Sequence, residues 1–270
     1  MEAFYLPTEH GQRFCLLHPA ATGVVPRGAI LYIHPFGDEM NKSRRMAALQ
    51  SRAFAQRGYE VLQVDLFGCG DSSGDFRDAT WEIWLADVRA AWNWLAARST
   101  QPVWLWGLRT GCLLIDAAAR LRNAPMRALF WQPVLSGQRF LQQFLRTRLT
   151  GDAIGDGGGN KRVNTTMLRE MLMRNGVLEV SGYPLGAALA EGMANAWLEA
   201  LPQGSDVRWL EVLPDPHSTL GEAALRQMQT WNREGCRATV GTAVGPAFWQ
   251  TQEINECPAL IKSTLSTMPQ

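Results

Sequence analysis

The pentapeptide Gly107-Leu108-Arg109-Thr110-Gly111 follows a short apolar run, 103–106 (VWLW), and opens a helical pattern. Two glycines bracketing a central residue in that setting mark a sharp strand-to-helix elbow. The central side chain is raised above the sheet, and the glycines keep neighbouring backbone clear of the turn. Where such an elbow carries serine, the hydroxyl can attack a carbonyl. Here the raised residue is Arg109. A guanidinium stays protonated and offers only donors, so it is no nucleophile. It can instead clamp a carboxylate or phosphate in two-point fashion. Three readings stay open. Arg109 binds an anion from a strained turn that costs on the order of 1–3 kcal/mol, or the turn has relaxed and Arg109 pairs with an acid such as Asp71 or Glu39, or Arg109 takes a direct part in catalysis. Thr110 and Cys112 are out of register to replace a serine.

A nucleophile would also need a base and an acid. The stretch after the last expected strand, 245–253 (GPAFWQTQE), contains no histidine. The chain has four histidines, and only His34 and His217 fall on loops at the expected ligand edge. Asp215, just before His217, stands where an acid could orient a base, but it has no base in the histidine position to orient. The candidates for acid–base work are therefore Glu39, His217, Glu253 and Asp215. The candidates for ligand binding are His34, Glu39, Asn41, Lys42, Arg44, Arg109 and Trp249. Most of these lie in the segment 34–45 (HPFGDEMNKSRR). That segment also reads as a capped helix start, with Asn41 or Ser43 as cap and the basic residues in solvent. In 65–74 (DLFGCGDSSG) the glycines permit tight turns, and Ser72 and Ser73 are expected to bond loop backbone.

Elements of alternating type must position these residues. Apolar runs predict strands at 13–17, 29–34, 60–65, 103–106, 128–132, 207–212 and 238–244. Stripes at helical spacing predict helices over 42–58, 81–97, 112–121 and 220–234. Strands alternating with helices imply a mostly parallel sheet covered on both faces, with ligands at the carboxyl ends of its strands. Residues 137–202 break the alternation. An amphipathic run at 140–149, a Gly- and Asp-rich loop at 151–160 expected to be mobile, and helices at about 165–174 and 185–201 are read there.

Composition sets limits. Hydrophobic residues make up 46% of the 270 and charged residues 19%, enough apolar matter to bury a sizeable core. The net charge of +1 shows no basic block of the kind a nucleic-acid groove requires. Five scattered cysteines with no CxxC spacing point away from a disulfide framework or zinc site and toward a reducing compartment. No signal peptide and no apolar stretch long enough to cross a bilayer is found, so a cytoplasmic protein is expected. No phosphate loop, dinucleotide fingerprint or HExxH helix is present, and no cofactor or metal is expected.

Several segments together resemble one bacterial family. They are 39–46 (EMNKSRRM), 65–76 (DLFGCGDSSGDF), 103–108 (VWLWGL), 131–143 (WQPVLSGQRFLQQ), 182–185 (GYPL) and 245–260 (GPAFWQTQEINECPAL). By these the chain resembles the exosortase A system-associated hydrolases of type 2. At His34 and Gly37-Asp38 it departs slightly from the family's pattern. The resemblance implies an α/β-hydrolase fold, an elbow without serine, and a setting beside exopolysaccharide synthesis and the PEP-CTERM protein-sorting system. It names no substrate.

The expectation is thus an α/β-hydrolase core at 1–136 and 203–270, with a helical cap at 137–202. Its function is that of an atypical hydrolase or acyl-group handler, with a small-molecule or acyl- or polysaccharide-linked ligand. The alternative is a non-catalytic relative that binds an anionic ligand or partner in the same pocket. The oligomeric state is left open.

Overall fold

The computed structural model describes residues 1–155 and 164–269. Its centre is an eight-stranded sheet. In chain order the strands are β1 (Glu2–Thr8), β2 (Gly11–His18), β3 (Gly28–Ile33), β4 (Tyr59–Val64), β5 (Val103–Leu108) and β6 (Arg127–Trp131). A short hairpin, β7 (Val177–Val180) and β8 (Tyr183–Gly186), stands apart, and β9 (Asp206–Leu213) and β10 (Arg237–Val244) return to the main sheet. The order across the sheet is β1-β2-β4-β3-β5-β6-β9-β10. β2 runs antiparallel to both neighbours, and the strands from β4 to β10 run parallel.

The central strands show why the sheet is covered on both faces. Every residue of β5 is buried, and all but the first of β3. Successive side chains of a strand point to opposite faces. Trp104 and Trp106 of β5 accordingly enter one apolar cluster, and Val103 and Leu105 enter the other. Helix α1 (Asp38–Ala55) supplies Met46 and Phe54 to the first cluster. Helices α2 (Trp81–Arg98) and α3 (Gly111–Arg122) supply Trp84, Val88, Leu113 and Ile115 to the second. Thr80 caps α2 by accepting the Ile83 N–H at 3.1 Å, an interaction that typically contributes about 1 kcal/mol.

Helix α4 (Gly137–Gly155) follows β6, then α5 (Thr165–Asn175), the β7–β8 hairpin and α6 (Ala187–Ala194). This segment packs onto the α2–α3 side through Phe140, Leu145, Leu168, Leu189 and Met193. A Cβ on Gly192 would stand 2.3 Å from the Trp81 Cβ, so glycine is what lets α6 lie against α2. Helix α7 (Glu222–Arg233) links β9 to β10, and α8 (Pro258–Thr267) ends the fold on the α1 side.

Four local expectations are corrected. The helix expected at 185–201 is strand β8 followed by the short helix α6. A hairpin occupies that place because Ser181 and Gly182, both at positive φ, turn VLEV back on YPLG, as a two-residue turn requires. The helix expected from 42 begins at Asp38, so neither Asn41 nor Ser43 caps it. The loop expected at 151–160 is helical as far as Gly155, and its remaining part lies outside the described residues. β1 and α8 were not expected. β1 is an edge strand in which only Leu6 is buried, and α8 is rich in Ser and Thr, so neither carries a strong apolar period.

Candidate active site

The elbow keeps its strain. Arg109 sits at φ 54°, in the left-handed region where a side chain is disfavoured. Its backbone is held from three sides. Its N–H donates to the Trp131 carbonyl at 3.0 Å, and its own carbonyl accepts from Cys112 at 3.2 Å and Val134 at 3.3 Å. The flanking glycines admit close neighbours. A Cβ on Gly111 would stand 2.4 Å from the Ile33 carbonyl oxygen, and one on Gly107 would stand 2.8 Å from the Cys112 nitrogen. The relaxed-turn alternative is therefore incorrect in its backbone. Its pairing is correct for Glu39, whereas Asp71 is exposed and uses its N–H on Asp65.

Glu39 reaches Arg109 from the first turn of α1. Gly37, at φ 57°, turns the chain from β3 into that helix. The Arg109 Nε donates to both Glu39 carboxylate oxygens at 3.3 Å, and Nη2 donates to Oε1 at 3.2 Å. Both side chains are about one-seventh exposed, at 13% and 14%. The guanidinium also lies 5.6 Å from the centre of the Trp249 ring, within cation–π range. Burial raises the Glu39 pKa. Arg109 and Gln250 oppose that rise, and the rise wins.

This pair forms part of the wall of a cavity of about 320 Å³ at the carboxyl ends of the strands. Its apolar walls are Phe36, Phe140, Phe144 and Trp249. Its polar rim carries Asp38, Lys42, Gln143, Thr147, Ser181 and Gln250. Phe36 joins the sheet to α4: its ring meets Phe144 at 4.9 Å and Phe140 at 5.8 Å, both edge to face. The Phe36 N–H donates to Thr110 Oγ1 at 2.8 Å. In a serine enzyme of this architecture, an N–H from this loop would face the oxyanion. Here it is already engaged.

The chain shares its sequence and shape with known proteins. Residues 14–119, a stretch that includes the elbow, match the family described as X-Pro dipeptidyl-peptidase (S15 family). Human Protein ABHD12B is 27% identical over 178 residues, 53% of this chain and 48% of that protein. The chain thus spans about half the length of that curated relative. Est1E from Butyrivibrio proteoclasticus, in its ferulic acid complex, superposes with a TM-score of 0.63 at 16% identity over 90% of each chain. A thermostable carboxyl esterase from Bacillus coagulans gives 0.62 at 12% identity, again over 90% of each chain. The chain has the α/β-hydrolase fold. Within that fold the elbow residue is Arg109, and the loop after β10 brings Trp249 and Gln250, not a histidine, to the cavity.

Of the candidate residues, the cavity gathers Glu39, Lys42, Arg109 and Trp249. Lys42 stands at the rim, 2.7 Å from Asp38. The other candidates lie elsewhere. His34 is buried, and both its ring nitrogens are engaged. Nδ1 bonds the Pro35 carbonyl at 2.8 Å, and Nε2 accepts the Leu66 N–H at 3.2 Å. That arrangement needs the neutral ring, and burial lowers the His34 pKa accordingly. Asn41 donates to the Tyr183 hydroxyl at 3.0 Å, tying α1 to the hairpin. Arg44 pairs with Asp65 at 3.0 Å. Glu253 is exposed and does not line the cavity.

His217 and Asp215 make a surface turn. One Asp215 oxygen accepts the His217 N–H at 2.8 Å and the Ser218 N–H at 3.1 Å, and the other accepts the Ser218 hydroxyl at 2.6 Å. These bonds, the Ser218 hydroxyl first, lower the Asp215 pKa. The carboxylate is thus committed to its own loop. Ser72 donates to the Asp65 carbonyl of its own loop at 2.5 Å, and Ser72 and Ser73 also reach β2, accepting the N–H groups of Phe14 and Gln12 at 2.8 and 3.0 Å.

Sequence reasoning missed the phenylalanine walls and the rim residues Asp38, Gln143, Thr147, Ser181 and Gln250. For Ser181 the hairpin pattern was a usable signal. For Phe140 and Phe144 the helical stripe was visible, but which side of it faced a cavity was not. Among the described residues, no group of three or more His, Cys, Asp or Glu could hold a metal ion, and no helix is long and apolar enough to cross a membrane.

Proposed function

We propose that this protein receives an acyl- or aryl-bearing small molecule in the cavity over Arg109 and holds it without covalent capture. The proposed setting is the exopolysaccharide and PEP-CTERM sorting system that its resemblance to the exosortase A system-associated hydrolases implies, with the segment between β6 and β9 acting as the cap. The single observation that carries the reading is the Arg109 guanidinium on an intact strained elbow, paired with Glu39 inside an aromatic-walled cavity. Proteins keep a strained residue only when its surroundings enforce it. Here the surroundings present a donor array where a serine enzyme presents a nucleophile. Aromatic walls suit an apolar body, and the polar pair fixes its head.

A second reading is favoured by one observation. Glu39 is a carboxyl group whose pKa burial raises, placed beside a cation. Such a group can serve as general base toward a water, giving a hydrolase that needs no serine.

The two readings separate in one experiment: turnover of esters, thioesters and acyl phosphates, with fluorophosphonate labelling and intrinsic tryptophan fluorescence alongside. The binding reading expects no turnover, no label, and saturable quenching by acyl or aryl ligands that Arg109→Ala weakens at least tenfold, about 1.4 kcal/mol. Turnover abolished by Glu39→Gln would replace it with the hydrolytic reading.

A further inference from the structure

The cavity holds a specific charge arrangement. Arg109 and Glu39 neutralise one another, and at the rim Asp38 and Lys42 do the same. Among the described residues, the other elements packed against Glu39 bring no further charge to the cavity. α4 contributes Phe140, Gln143, Phe144 and Thr147, the hairpin Ser181, and the loop after β10 Trp249 and Gln250.

The geometry leaves one part of the guanidinium uncommitted. Glu39 takes Nε and Nη2. Among the described residues, Nη1 has no hydrogen-bond partner, and it is not among the fully buried polar atoms. A ligand acceptor can therefore approach Nη1 while Glu39 stays in place. Its head would then lie beside the Glu39 carboxylate. A second full negative charge there would share one cation in a largely desolvated site, and two carboxylates in that position cannot both stay ionised at low cost.

We propose that the cavity takes a monocarboxylic acid with an apolar acyl or aryl body together with one proton from solvent, the ligand's carboxyl group and Glu39 sharing that proton beside Arg109. This rests on the ligand-holding reading above and names its ligand class. The atoms balance simply: a carboxylate and a proton enter, an O–H···O bond forms between the two carboxyl groups, and nothing leaves. The raised Glu39 pKa has the matching sign, since this carboxyl already resists ionisation before a second anion arrives. Linkage then requires affinity to rise about tenfold for each pH unit lowered, wherever both free carboxyl groups are ionised.

The test is calorimetric titration of the full chain with cinnamate, octanoate and their primary amides at pH 7, in buffers of differing ionisation enthalpy. The expected result is uptake of about one proton for each acid bound and about none for an amide. Glu39→Gln should bring uptake by the acids to near zero, and the wild-type proton count stands even if that variant folds poorly. Acid binding without proton uptake would assign charge neutralisation to Lys42 and overturn the inference while the ligand cavity stands. Binding of the amides alone would do the same. Binding of none of the four, with no ligand-induced thermal shift, would overturn the cavity reading as well.

Discussion

Two guanidinium–carboxylate pairs in this molecule are chemically alike and differ in what surrounds them. Arg13–Asp87 is closed on all sides. Its atoms are 2.6 Å apart, the side chains are 0% and 1% exposed, and Arg13 lies 5.0 Å from the centre of the Phe67 ring. Arg13 Nη1 donates to the His10 and Gln12 carbonyls and Asp87 accepts the Phe67 N–H, while Arg13 Nη2 is buried without a hydrogen-bond partner. It pins β2 to α2. Arg109–Glu39 faces a cavity, so its unspent guanidinium nitrogen is open to a ligand, whereas that of Arg13 is sealed in. Burial raises the acid's pKa in both pairs, despite the neighbouring cation. What separates a structural pair from a ligand site here is therefore the open side, not the ion pair.

The sharpest way to break this comparison is to remove one partner of the closed pair. Arg13→Met should destabilise the fold by about 3–5 kcal/mol, because Asp87 is left buried and unpaired. Equilibrium denaturation measures it, and a loss below about 1 kcal/mol would contradict the structural assignment.

A third buried acid extends the comparison. Asp116 on α3 is 2% exposed and pairs with Arg120 at 2.8 Å, yet burial, only partly offset by Arg120, raises its pKa from 3.8 to about 7. With the folded value above the unfolded one, its contribution to stability is full below about pH 4 and is lost as pH rises through about 7. Asp116→Asn should flatten the stability profile across that window. An unchanged slope would show that Arg120 holds the acid ionised.

At the open pair the sign should reverse. The double variant Arg109→Gly/Glu39→Gln removes the left-handed strain and the desolvated charges together. It should raise stability by about 1 kcal/mol while abolishing ligand-induced fluorescence changes. A stability loss above about 2 kcal/mol would place this pair with Arg13–Asp87. The smallest effect is expected at the surface turn. His217→Ala should shift stability by less than about 0.5 kcal/mol and leave ligand binding unaltered. A measurable binding defect would reopen the acid–base role considered for it.

Much of the scaffold was legible because it is locally encoded. The apolar runs of β3, β5 and β9 and the stripe of α2 recur at the periods their elements require. The pentapeptide around Arg109 also carries its own strained turn. β1 and α8 were missed because little of β1 is buried and α8 has a weak apolar stripe. In the site, Arg109 and Glu39 were named as candidates, but so were His34 and Arg44. Nothing local told that His34 uses both ring nitrogens on backbone, or that Arg44 turns toward Asp65.

By itself, the sequence determined the element order, the position of the elbow, and the absence of a serine at its apex and of a histidine after β10. These are properties of residue type and short-range spacing. Only the tertiary structure decided that Arg109 meets Glu39, 70 residues away in the chain, that Phe140, Phe144 and Trp249 close the walls around them, and that His217 and Asp215 stay outside. Such pairings depend on how helices from distant parts of the chain pack on one sheet. Side-chain direction and access to a cavity are set by that packing, and a one-dimensional pattern does not carry them.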